Sequence, residues 1–221
     1  MSADGFEFFV KRQGPVTDLQ IVPAELADSY AGRLPSALRE FWKLNGWGSY
    51  SKGLLKLCDP AMLSGVLQIA LEKDRDFGAG RCTAYAYTAF GEVFAWHQDH
   101  QNVRIDFLEQ ELSCEYFLKP EKKVAESIAI TSMLATFDFE LYDVDDTAGR
   151  PLYQRAVHSL GSPKLGECFG FFPALGIGGV AQLENLKRVN AAEHFAILAQ
   201  IAPLRLMDTR QFRISSIREI G

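Results

Sequence analysis

Hydrophobic residues change their spacing twice along this 221-residue chain, and the order of the changes predicts its architecture. The first 80 residues keep a period near 3.6. Phe6, Phe9 and Val10 share a helical face behind a capping Asp4, with Gly14-Pro15 as the stop, and a second helix is predicted around Ala24–Ala31. The stretch LPSALREFWKLNGWGSYSKGLLKL, from Leu34 to Leu57, organises this half. Leu38, Phe41 and Trp42 stand at i, i+3 and i+4, Pro35 sits near the helix start and Gly46 near its end. Trp47 lies between two glycines, so a sharp turn with φ > 0 at Gly46 or Gly48 is expected to press its indole into the core beside a strand at Gly53–Cys58. Phe41, Trp42 and Trp47 are the predicted structural core. Asp59-Pro60 then opens a helix whose buried side carries Leu63, Val66, Leu67, Ala70 and Leu71.

From Cys82 the period becomes 2. Thr83–Phe90, Val93–His97, Val103–Leu108 and Leu112–Leu118 are short, rich in aromatic and β-branched residues, and joined by connections too short for crossover helices. They predict an antiparallel meander with the earlier helices on one face and the other partly exposed. Beyond Lys119-Pro120 the helical period returns over Glu121–Phe137. A helix at Leu152–Leu160, a strand at Glu167–Phe172, a glycine-rich loop leading to Gln182–Val189, and a helix capped by Asn190 with Glu193 three residues on complete the chain. The fold class is therefore α+β: a β-meander packed against helices, then a smaller, mostly helical C-terminal region, divided as residues 1–120 and 121–221.

Composition confirms an ordinary globular chain, with 48% apolar and 23% charged residues. The N-terminus lacks a basic segment followed by an apolar run, and no stretch approaches ~18 consecutive apolar residues, so a cytoplasmic location without membrane contact is expected. Cys58, Cys82, Cys114 and Cys168 are too widely spaced for a zinc motif and read as reduced buried thiols. Charge changes the picture more. Residues 1–149 hold 14 Lys/Arg against 23 Asp/Glu, whereas residues 150–221 hold 9 against 5. No base stands between Val124 and Gly149, where Glu126, Asp138, Glu140, Asp143, Asp145 and Asp146 cluster. Nucleic acid would be repelled there and a basic protein attracted. Phe137, Phe139, Leu141 and Tyr142 alternate with the acids, the mixture expected of a protein interface. Asp138, Phe139, Glu140, Tyr142, Asp143, Asp145 and Asp146 are the candidate partner-binding residues, with Asp143, Asp145 and Asp146 expected at the surface; the bland alternative is a solvated acidic face.

Candidate chemistry is sparse. His97, Asp99 and His100 form the densest set of possible metal ligands, but they fall at a turn and lack a third histidine, so no metal and no cofactor are assigned. His194 reads as a packed or capping residue, and with His158 the remaining histidine, no GxSxG nucleophile completes a triad. Gly176–Ala181 fits GxGxxA loosely, but without a parallel βαβ unit it reads as a tight turn. No catalytic residue is assigned.

Two sets of residues resemble known families. Leu34-Pro35, Leu38, Phe41-Trp42, Gly46-Trp47-Gly48, Tyr50 and Gly53-Leu54 resemble the bacterial GAD-like domain and, more loosely, the SUKH superfamily. Phe169-Gly170-Phe171, Pro173-Ala174-Leu175, Gly178-Gly179, Asn185-Leu186, Val189, Glu193-His194 and Ile197-Leu198 are similar to the C-terminal domain of type VI secretion immunity proteins that neutralise DNase effectors. These are packing residues, so they identify a family rather than a site. The resemblance implies a non-catalytic cytoplasmic protein that binds a cognate toxin, a basic nuclease being the expected partner. A SUKH-type intracellular adaptor and a metal-dependent enzyme centred on His97, Asp99 and His100 are the alternatives, and the oligomeric state is left open.

Overall fold

The computed structural model of the chain describes residues 2–78, 80–208 and 215–221. Helix α1 (Ser2–Gln13) is followed by strand β1 (Thr17–Gln20), α2 (Ala24–Asp28), α3 (Ser36–Asn45), β2 (Trp47–Tyr50), β3 (Leu55–Leu57) and α4 (Pro60–Leu71). The meander is β4 (Cys82–Thr88), β5 (Glu92–His97), β6 (Gln101–Asp106) and β7 (Glu111–Ser113). Then come α5 (Glu115–Leu118), α6 (Glu126–Ala135), α7 (Phe139–Tyr142), α8 (Tyr153–Leu160), β8 (Glu167–Phe171), β9 (Leu186–Asn190), α9 (Ala191–Leu198), β10 (Arg205–Asp208) and β11 (Ser215–Glu219). The predicted capping side chain of Asp4, and Arg210 and Arg213 of the basic C-terminal stretch, lie outside the described residues.

Strands β1 to β7 pair in chain order, each antiparallel to the next; the connections from β2 to β3 and from β4 through β7 are too short for a crossover, and those carrying α2–α3 and α4 also return antiparallel. The far edge is built from the other end of the chain. β10 joins β7 in parallel, Arg205 opposite Glu111, and β11 folds back on β10. A separate hairpin, β8 with β9, packs beside the main sheet.

Helices cover both faces of the sheet, where the sequence suggests one. All six residues of β5 are buried, and their alternation feeds two cores. Phe94 and Trp96 point into a cluster with α1, α3, α6 and α8, and Val93 and Ala95 into one with α4 and α9. Each cluster draws on residues from both sides of position 120.

The organising stretch behaves as its pattern predicts, with one change. Gly46 closes α3 at φ 70°, and Trp47, instead of sitting in a turn, starts β2. Its ring is 5% exposed and meets Trp42 edge-on at 5.6 Å. Asp59 accepts from the Ala61 amide at 2.9 Å and Asn190 from the Glu193 amide at 3.0 Å, so both predicted caps form. The strand expected over Leu112–Leu118 stops at Ser113. Its second half coils into α5, which brings Phe117 within 5.1 Å of Phe77 and 5.0 Å of His100, ring centre to ring centre.

Candidate functional site

The acidic segment folds as a short loop hung on the meander, and its residues divide into two groups. Asp138 caps α7, accepting from the Glu140 amide at 3.1 Å, and lies 3.6 Å from the Arg12 guanidinium. Phe137 and Tyr142 stack at 4.4 Å, and Tyr142 also meets Phe94 edge-on at 5.6 Å. Phe139 packs edge-on against Tyr153 at 5.5 Å, with the Lys52 ammonium 5.8 Å from its ring. The two proposed aromatic anchors therefore face inward and hold the loop to the core.

Asp143 and Asp146 are also committed to structure, which corrects the expectation that they stand at the surface. Asp143 accepts from the Val144 amide at 2.7 Å and from the Tyr153 amide, at the start of α8, at 2.8 Å. Burial raises its pKa in spite of these bonds. The Asp146 side chain is 3% exposed. One oxygen accepts from the amides of Ala148 and Arg150, and the other meets Arg150 Nη2 at 2.8 Å and Arg155 Nη1 at 2.6 Å. Arg150, and then Arg155, hold its carboxyl well below the usual carboxylate range. The base that sequence reasoning found missing between Val124 and Gly149 comes in space from Arg12 behind and Arg150 and Arg155 ahead. What remains outward is Glu140, Leu141 and Asp145, with Asp138 half-buried beside them. Leu141 is 80% exposed, an apolar tip among carboxylates.

The histidine cluster is a structural turn. His97 Nδ1 accepts from the amides of Asp99 (3.0 Å) and His100 (3.1 Å), which places the proton on Nε2, 2.8 Å from the Asp76 carbonyl. Both ring nitrogens are occupied, and Asp99 pairs with Arg81 at 3.1 Å. Among the described residues, no group of three or more His, Cys, Asp or Glu side chains is placed to hold a metal ion. His194 is packed over Gly170, whose missing side chain leaves room for the ring, and lies 5.7 Å from Phe172, whereas His158 is exposed. In the Gly176–Ala181 loop, a Cβ on Gly179 would fall 2.0 Å from the Pro173 carbonyl, as a tight turn demands.

Groups with strongly shifted proton affinity are sealed away from solvent. Lys56 is fully buried on β3, its ammonium donating to the Gly53 carbonyl and lying 5.7 Å from the Tyr87 ring, and burial lowers its pKa to about 8. Glu92 lies 2.9 Å from Arg104 Nε, yet burial outweighs that attraction and raises its pKa to about 8. Burial pushes the Cys114 and Cys168 thiols up to about 12, the opposite of an activated nucleophile. Each of these shifts comes first from desolvation.

The comparisons place this arrangement. Residues 4–109 match the GAD-like domain, and residues 130–202 match the C-terminal domain of the T6SS immunity protein Tdi1. The chain joins a GAD-like domain to a Tdi1-type immunity domain. Over residues 130–202 it thus resembles the immunity proteins of type VI secretion. The crystal structure of Atu4351 from Agrobacterium tumefaciens is 27% identical and superposes with a TM-score of 0.91, covering 98% of each chain. No curated protein matches. Among the described residues, no helix is long and apolar enough to cross a membrane. The Tdi1-type stretch contains the whole acidic loop, the arginines that hold Asp146, and the β8–β9 hairpin.

Proposed function

We propose that this immunity protein acts in the cytoplasm by binding a cognate secreted toxin directly, without chemistry of its own, and that the toxin is a basic nuclease. The observation that carries the site is the outward tip Glu140-Leu141-Asp145. An exposed leucine beside Glu140 and Asp145, which have no ion-pair partner among the described residues, offers an apolar anchor inside a negative rim. A nuclease presents a cationic surface to DNA, and a negative rim steers such a surface into contact while the leucine slows its release. Asp138 contributes from the margin. Phe139, Tyr142, Asp143 and Asp146 serve this surface by holding the loop in shape.

The test is surface plasmon resonance against a catalytically inactive form of the toxin encoded beside this gene. The double substitution Glu140→Lys, Asp145→Lys should slow association by about tenfold at low salt and flatten its salt dependence. Leu141→Ala should instead raise the off-rate, by roughly tenfold or more if the leucine is a hot spot. Unchanged kinetics in both variants, with circular dichroism showing intact folding, would move the interface elsewhere.

A further inference from the structure

A groove of about 680 Å³ runs along α4, far from the acidic loop in sequence and unused by the reading above. Its floor is apolar and buried: Leu67, Leu71, Phe77 and Ala84, with Cys82 beside them. At one end Arg33 lies over the Tyr30 ring, its guanidinium carbon 4.8 Å from the ring centre, and donates to the Ser29 carbonyl at 3.2 Å. At the other end stands Glu72, reached by the Gln68 amide at 3.5 Å. Among the described residues neither end charge has an ion-pair partner, in a protein whose other exposed arginines mostly do. The Tyr30 hydroxyl is committed to Asp59, which also caps α4, so the arginine end is braced by the core.

We propose that this groove receives a short extended segment of the toxin, apolar in the middle, with an acidic residue at the Arg33 end and a basic one at the Glu72 end. This rests on the toxin-binding reading and adds a second contact to it. The length suits a short extended chain. Ala61 to Glu72 spans eleven steps of helix, roughly 17 Å, which about five residues of strand would cover. Charge sets the direction, since the reversed segment would place like charges together at both ends. An apolar floor with a polar rim of Ser64, Gln68, Arg33 and Glu72 is the usual layout of a peptide-binding surface.

The probe is a phage-displayed library of random heptapeptides, selected on the full chain and counter-selected on its Arg33→Glu, Glu72→Lys variant; both positions are exposed, so the variant should fold. The expected winners carry an acid at one end, apolar residues between, and a base at the other. By fluorescence polarisation they should bind Arg33→Glu at least tenfold more weakly, and exchange of the peptide's acid for Lys should restore that binding. The best peptide should also compete with the inactive toxin for the wild-type chain. Winners indifferent to both substitutions, or no winners at all, would overturn the groove. Peptides that occupy the groove without displacing bound toxin would overturn the toxin as its occupant. A toxin that fails to bind the wild-type chain sinks the immunity reading itself, and with it the toxin as occupant, whatever the peptides do.

Discussion

Replacing Lys56 with Met should stabilise the protein at pH 7 and destabilise it at pH 10. The ammonium is wholly buried, with no carboxylate in ion-pair reach among the described residues, and its pKa falls from the ordinary 10.5 to about 8. Below pH 8 both states are charged, and the fold bears the full cost of the buried cation, ~3 kcal/mol. As pH rises from 8 through 10.5 the native lysine is already neutral and the unfolded one follows, so the penalty shrinks to ~1 kcal/mol at pH 10. Met matches the length of the stem and removes this term. It also removes the hydrogen bond to the Gly53 carbonyl, worth about 1–2 kcal/mol. The variant should therefore gain about 1–2 kcal/mol at pH 7 and lose up to about 1 kcal/mol at pH 10. Paired urea titrations of both proteins at the two pH values measure this directly, and other titrating groups cancel in the difference. A stability difference that stays constant with pH would refute the argument, because it would mean that the buried amine is uncharged at both values or solvated in both states.

Trp47→Ala should cost about 3–5 kcal/mol and lower Tm by roughly 10 °C, since the ring closes against Trp42 between α3 and the sheet; folded molecules should keep their affinity for the toxin, and a stable variant that loses its partner would place Trp47 in the interface. Acid should destabilise the protein. Burial lowers the pKa of His97, His100 and His194, so the unfolded chain takes up protons first; their contribution is complete above about pH 6.5 and is lost as pH falls below it, which melting curves from pH 7.5 to 5 will show, with a reduced slope in His194→Gln. Asp146→Lys should fail to fold at 37 °C, because it sets a third cation between Arg150 and Arg155, whereas Asp145→Lys should melt like the wild type; equal melting of the two would contradict the burial of Asp146.

Local signals were legible in the sequence wherever a few neighbouring residues decide the outcome. Asp59-Pro60 and Asn190 start their helices because a side-chain oxygen three or fewer residues away satisfies a free amide, and Gly46 ends α3 because only glycine enters that backbone region without strain. Short connections between strands with period 2 likewise left the meander little choice but antiparallel pairing. Several outcomes depended on partners remote in the chain. The completion of the sheet by β10 and β11 rests on a pairing between Arg205 and Glu111 that no local pattern announces. Asp146 looked like a surface charge because its segment lacks bases, yet Arg150 and Arg155 lie just past the segment's end and α8 turns one of them back onto it. Phe139 and Tyr142 alternate with acids as interface anchors would, but the rings of Tyr153, Phe137 and Phe94 claim them first, leaving Leu141 outside. Periodicity therefore determined which residues could be buried, and the tertiary structure decided which of them were, since burial is a competition among all apolar groups for one limited interior.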